Sequence, residues 1–120
     1  MGKQGRRICI VDDDLQMCRS LDRLLASYGI VSNAYTSGES FLASNHWKDI
    51  FCLLLDIDMP NLNGFQVHER LKERGYQFPI ILMTGRFEAE FQKQAAEIRA
   101  MAILQKPFDS QTLMDLIDTF

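Results

Sequence analysis

Carboxylates gather in two short stretches of this chain, Asp12-Asp13-Asp14 and Asp56-Ile57-Asp58. Each follows directly on an apolar run, Ile8-Cys9-Ile10-Val11 for the first and Cys52-Leu53-Leu54-Leu55 for the second. Thr84 comes after Ile80-Ile81-Leu82-Met83, and Lys106 comes just after Met101-Ala102-Ile103-Leu104. Packed carboxylates repel, and their pKa values rise unless a cation sits among them. Oxygen ligands without His or Cys favour Mg²⁺ over zinc or copper, and Mg²⁺ is usually completed by phosphate oxygens. A carboxylate can also attack phosphorus and hold the group as an aspartyl phosphate. Such transfer needs mostly positioning and charge neutralisation. A metal and a lysine provide the charge, and a threonine hydroxyl can donate to a phosphoryl oxygen.

Plainer roles exist for each residue. Asp56 could simply open the turn at Pro60-Asn61-Leu62-Asn63-Gly64, since Asp is a common turn residue. Three acids in a row could complement a helix dipole. Thr84 could be structural and Lys106 an ordinary loop lysine. Their joint placement after apolar runs argues against coincidence.

The elements that must hold these groups follow from periodicity. Residues 7–11, 30–35, 50–55, 80–83 and 101–104 read as strands, the second more polar and so nearer an edge. Residues 15–28 have helical spacing, with Cys18, Leu21, Leu25 and Tyr28 on one face and Gly29 past the end. Ser37 can cap a short helix carrying Phe41 and Leu42, which frays near Ser44-Asn45-His46. Asn63 can cap a helix that Gly75 ends. A fourth helix is expected over 88–99, with Phe87, Phe91, Ala95 and Ile98 inward, and a fifth after Asp109 or Ser110. Five strands alternating with five helices call for a parallel sheet covered on both faces by right-handed crossovers. Ligands in such sheets bind beyond the carboxyl ends of the strands. Strands one, three, four and five deliver the chemical residues there, and strand two delivers nothing comparable.

Composition sets the bounds. The chain has 120 residues, enough for one domain over 1–120, with 1–6 expected to be disordered. The net charge is −3, but setting aside the five clustered acids leaves 13 basic residues against 11 acidic ones. The acidity is therefore local, as a cation site would have it. No basic cluster large enough to grip nucleic acid is present. The longest apolar run, 50–55, is far too short to span a membrane, and a cytoplasmic location is expected. Cys9, Cys18 and Cys52 lack metal-type spacing and are expected to be buried free thiols.

Taken together, Val11-Asp12-Asp13-Asp14, Leu55-Asp56-Ile57-Asp58-Met59-Pro60 with Gly64, Met83-Thr84-Gly85 and Lys106-Pro107-Phe108 resemble the receiver domain of bacterial two-component response regulators. The resemblance runs from about residue 7 to the end. It implies a flavodoxin-like (βα)5 fold with strand order 2-1-3-4-5. It also implies that Asp56 accepts a phosphoryl group from a histidine kinase or phosphotransfer protein. Mg²⁺ would be held by Asp13, Asp56 and the main-chain carbonyl of Asp58, with Asp12 acting through water. Lys106, typically followed by a cis bond to Pro107, would pair with the phosphoryl group, and Thr84 would be the switch hydroxyl. Thr84-Gly85, with Glu39-Ser40-Phe41-Leu42 upstream, is most similar to receivers that control helix-turn-helix outputs. Such a domain can dimerise through its fourth helix, fifth strand and fifth helix, with any DNA-binding effector outside this chain.

Two departures from the family pattern stand out. Ile103 occupies the usual aromatic switch position, and a Gly common before strand five is replaced near Arg99. Asp58 and Arg86 sit at positions that in the family flank the phosphoryl group, and an ion pair between them is expected. Two other classes compete. A haloacid dehalogenase-type phosphatase shares an Asp-x-Asp motif, but its motif lies on an early strand and the chain has no room for a cap domain. A flavin-binding module would want a Gly- or Ser/Thr-rich first loop where this chain has three acids.

Overall fold

In the computed structural model, which describes residues 6–85, 89–98, 100 and 102–120, strands and helices alternate along the whole described chain. The order is β1 (Arg7–Val11), α1 (Leu15–Ser27), β2 (Val31–Tyr35), α2 (Gly38–Ala43), β3 (Cys52–Asp56), α3 (Gly64–Glu73), β4 (Ile80–Thr84), α4 (Ala89–Glu97), β5 (Ala102–Gln105) and α5 (Ser110–Asp118). The strands form one sheet in the order β2-β1-β3-β4-β5, with every pair parallel. The expected class and strand order are both found.

Alternation of side chains across the sheet divides the core into two layers. Cys9, Val11, Leu53, Leu55 and Leu82 face one way and pack with Phe41 and Leu42 of α2, Val67 and Leu71 of α3 and Ala95 of α4. Ile8, Ile10, Leu54, Ile81 and Met83 face the other way, against Cys18, Leu21 and Leu25 of α1 and Leu113, Met114 and Ile117 of α5. All five residues of β3 and all five of β4 are buried, as unbroken apolar runs predict. Each such Leu or Ile contributes at most about 1.5–3 kcal/mol through removal from water. This doubly covered centre is the rigid base on which the strand ends stand.

Local chemistry sets the helix limits. Asp14, Ser37, Asn63 and Asp109 cap α1, α2, α3 and α5 through their side chains. Gln66 completes a reciprocal capping box with Asn63. Gly29 and Gly75 take the left-handed conformation just beyond α1 and α3. Fraying after α2 resolves into a 3-10 turn, His46–Asp49, which seats Trp47 in the core. β3 begins two residues later than periodicity suggested, because that turn runs up to Ile50. The three cysteines are buried and free, as expected. Burial pushes their thiols up to about 11 for Cys9 and Cys18 and about 12 for Cys52, which keeps them protonated and unreactive.

Residues 1–5 lie outside the described residues, while the Arg6 guanidinium stacks 4.4 Å from the Phe51 ring centre. Arg86, Phe87, Arg99 and the start of the expected fourth helix also lie outside them. Ile103 is half-buried against the core layer of α2, α3 and α4.

Candidate functional site

Asp56 is the last residue of β3, not the first after it. It stands opposite Met83, and the next amide, Ile57 N, still donates to the Met83 carbonyl at 2.9 Å. The ladder thus continues past the carboxylate and fixes its backbone. Below it, Gly64 brings α3 against the strand end. A Cβ there would stand 2.7 Å from the Asp56 carbonyl oxygen and 2.9 Å from Ile57 Cα. Only glycine permits that approach.

From β1, the Asp12 amide donates to the Tyr35 carbonyl at 3.0 Å, and its carboxylate is held from two sides. The Asp14 amide donates to Oδ1 at 2.9 Å, and the Lys106 ammonium donates to Oδ2 at 2.7 Å. The Cys18 thiol, on the inner face of α1, donates to the Asp12 carbonyl at 3.3 Å. The Asp14 carboxylate is used differently: it caps α1, accepting from the Gln16 amide at 2.9 Å and the Met17 amide at 3.4 Å. The dipole-complementing role open to the acidic triplet is therefore realised by its third member.

Lys106 arrives from the end of β5. Its amide donates to the Thr84 carbonyl at 2.7 Å, and its peptide bond to Pro107 is cis. The ammonium lies 3.3 Å from Asp56 Oδ1 as well as on Asp12. The Asp58 amide donates to the same Asp56 oxygen at 3.3 Å. Thr84 is fully buried, and its hydroxyl donates to Asp58 Oδ2 at 2.8 Å. The Gly85 amide donates to that oxygen too, at 3.2 Å. The expected Asp58–Arg86 pair involves a residue outside those described.

Electrostatics follow from this crowding. Asp12 and Asp56 are 0% and 2% exposed, and carboxylate oxygens of Asp12, Asp13 and Asp56 lie within 4.8 Å of one another. Burial, and then the Asp12 charge, push Asp56 up to about 6, although Lys106 opposes them. Burial also works against the Lys106 ammonium, but its hydrogen bond to Asp12 and the Asp56 charge outweigh that and raise its pKa. Among the described residues, three carboxylates stand against one ammonium, a formal excess of two negative charges. The donors are all oxygen and one face is exposed at Asp13. That arrangement fits a hard divalent cation which retains water.

Asp12, Asp13, Asp56 and Lys106 are thus brought together, and Thr84 and Asp58 are joined beside them. Sequence reasoning missed three donors and acceptors: the Gly85 amide, the Cys18 thiol and the Asp58 carboxylate as the acceptor for Thr84. Cys18 carried a signal, since it shares the inward face of α1. Nothing in residue type marked the other two.

Comparison with known proteins places this geometry in a family. Residues 8–118 match the response regulator receiver domain. The chain belongs to that family, as a receiver domain of two-component response regulators. Among curated relatives, the transcriptional regulatory protein TdiR of Thauera aromatica is 32% identical over 111 residues, covering 92% of this chain and 49% of TdiR. The transcriptional regulatory protein FixJ of Bradyrhizobium diazoefficiens is 31% identical over 112 residues, covering 93% and 55%. Full-length FixJ from B. japonicum superimposes with a TM-score of 0.86 at 30% identity, covering 97% of this chain and 57% of FixJ. The chain therefore spans about half the length of the curated relatives it matches. The phosphatase alternative finds no support among these matches. Among the described residues, no helix is long and apolar enough to cross a membrane.

Proposed function

We propose that residues 1–120 form one receiver module in which Asp56 accepts a phosphoryl group from the phosphohistidine of a histidine kinase or phosphotransfer protein. The observation that carries this is a buried carboxylate at the end of β3 with an ammonium at 3.3 Å and two further carboxylates, one of them also buried, close by. In the transfer, an Asp56 oxygen forms a bond to phosphorus while the phosphorus–nitrogen bond to the imidazole breaks. The imidazole departs with the electron pair and takes up a proton from water. Lys106 offsets charge on the phosphoryl oxygens and Thr84 offers a hydroxyl to one of them. Both described contacts of Asp56 fall on Oδ1, which favours Oδ2 as the attacking oxygen.

Asp13, Asp56 and the main-chain carbonyl of Asp58 are the proposed ligands of Mg²⁺, with Asp12 acting through water. When bound, the ion neutralises charge on the transferring group. Leu15, half exposed on the first turn of α1 beside the acidic stretch, offers an incoming donor protein an apolar foothold. The module is a switch that catalyses only its own phosphorylation and dephosphorylation, in the cytoplasm. It controls a transcriptional output through an effector outside this chain, with α4, β5 and α5 as the responding and dimerising face. The names of TdiR and FixJ support that output.

The test is incubation with Mg²⁺ and acetyl phosphate, read by intact mass. One added phosphoryl group is expected, and none in Asp56→Asn or with EDTA. An adduct that persists in Asp56→Asn overturns the assignment. Multiple turnover of a phosphomonoester overturns the switch.

A further inference from the structure

The donors at the end of β4 do not point at Asp56. The buried Thr84 hydroxyl and the Gly85 amide converge on one oxygen, Oδ2 of Asp58, at 2.8 and 3.2 Å. Asp58 lies two residues beyond the strand, and its own amide donates to Asp56 Oδ1 at 3.3 Å. The turn is thus tied to the acceptor carboxylate on one side and to β4 on the other. A carboxylate is a strong acceptor, and bonds to it are roughly twice as strong as neutral ones. We infer that the Asp58 carboxylate is an internal latch: it holds the Thr84 hydroxyl and the Gly85 amide in the unphosphorylated protein, and a phosphoryl group on Asp56 must win these donors from it.

This rests on Asp56 being the phosphoacceptor, and it goes further by giving the Asp58 side chain a role before phosphorylation. A phosphoryl group carries more charge and more acceptor oxygens than Asp58 does, so it can take both donors. The exchange has a threshold. If only a fraction of molecules has the donors released, the apparent affinity for the phosphoryl group is reduced by that fraction. The latch therefore sets how much phosphodonor is needed to throw the switch.

Plain charge repulsion between Asp58 and the phosphoryl group would also weaken binding, and shape separates the two. Asp58→Glu keeps the charge but moves the carboxylate by one methylene, out of reach of this geometry. Asp58→Ala removes both. The probe is beryllofluoride, a phosphoryl mimic, titrated calorimetrically into the protein at saturating Mg²⁺. The latch predicts that Asp58→Ala and Asp58→Glu both lower the dissociation constant by about tenfold. It also predicts that hydrogen exchange at the Gly85 amide, without beryllofluoride, accelerates by about tenfold or more in both variants. If Asp58→Ala binds within twofold of wild type, the inference fails. It fails equally if Asp58→Glu matches wild type while Asp58→Ala binds tighter, since charge alone would then be responsible. Asp56→Asn is the control for the parent assignment: retained beryllofluoride binding there overturns the acceptor role and the latch with it.

Discussion

Buried polar groups occur at both ends of this sheet, and the two ends treat them differently. At the carboxyl end, Asp12, Asp56 and Thr84 are buried, and each is held by a charged or hydroxyl partner. Toward the other end, His68 of α3 pairs through Nε2 with the Tyr76 hydroxyl at 3.0 Å, but its Nδ1 is buried without a partner among the described residues, as is Trp47 Nε1. Aromatic packing dominates there, with Tyr76 5.5 Å from the His68 ring and 5.1 Å from the Phe78 ring. The first end keeps repelling charges together, and only function requires that. The second leaves atoms unsatisfied where packing compensates, and its polarity should be nearly dispensable.

Breaking that contrast begins with Lys106→Ala. It strips the carboxylate cluster of the ammonium that bonds Asp12 and Asp56, and removing one partner of a buried ion pair costs about 3–5 kcal/mol. Partial exposure of Lys106 places the loss toward the lower figure. Urea denaturation without Mg²⁺ should show it, and added Mg²⁺ should restore part of it.

The pH dependence of stability comes next, and the two ends should oppose one another. Asp56 is raised from 3.8 to about 6 in the folded protein, so the folded state holds a proton that the unfolded chain has already lost. Its contribution is complete below pH 3.8 and vanishes as pH rises through about 6, a loss of no more than about 3 kcal/mol. His68 has its pKa lowered by burial, so its contribution is present above the ordinary histidine value and is lost as pH falls. In metal-free protein, Asp56→Asn should remove the alkaline-going loss and His68→Phe the acid-going one. Melting curves between pH 4 and 8 measure both. Should Asp56→Asn leave the profile unchanged, the carboxylate is not strained as described.

Gly64→Ala is expected to cost about 1–3 kcal/mol, because its Cβ would meet backbone rather than a movable side chain. It should also slow phosphorylation from acetyl phosphate, since it presses on the acceptor itself. Gly75→Ala, at φ +73° but with open space around it, should cost about 1 kcal/mol and leave phosphorylation unchanged. The smallest effect belongs to the aromatic end. Tyr76→Phe removes one neutral hydrogen bond and should cost about 1 kcal/mol in the same denaturation series. A loss as large as that of Lys106→Ala would erase the distinction between the ends.

Much of this was legible from residue order. Apolar runs ending in Asp, Thr or Lys located the strand ends, and cap residues such as Asn63 and Gly75 bounded the helices. Periodicity could not say which strands are neighbours; that order came from family resemblance, and the sheet bears it out. It also missed the 3-10 turn at His46–Asp49, because a buried tryptophan in a polar stretch has no period. Directions of side chains were beyond reach as well. Asp58 and Thr84 are 26 positions apart, and only parallel registration of β3 with β4 brings their ends within bonding distance.

The hydrogen-bond ladder that carries on past Asp56 has one more effect. A modified residue on a pliant loop would let the loop absorb its new bulk and charge. Here the modified side chain is anchored like a die in a press: Ile57 is tied to Met83, and the Lys106 amide is tied to Thr84. The frame does not yield, so a change confined to one side chain becomes movement of whatever rests against it.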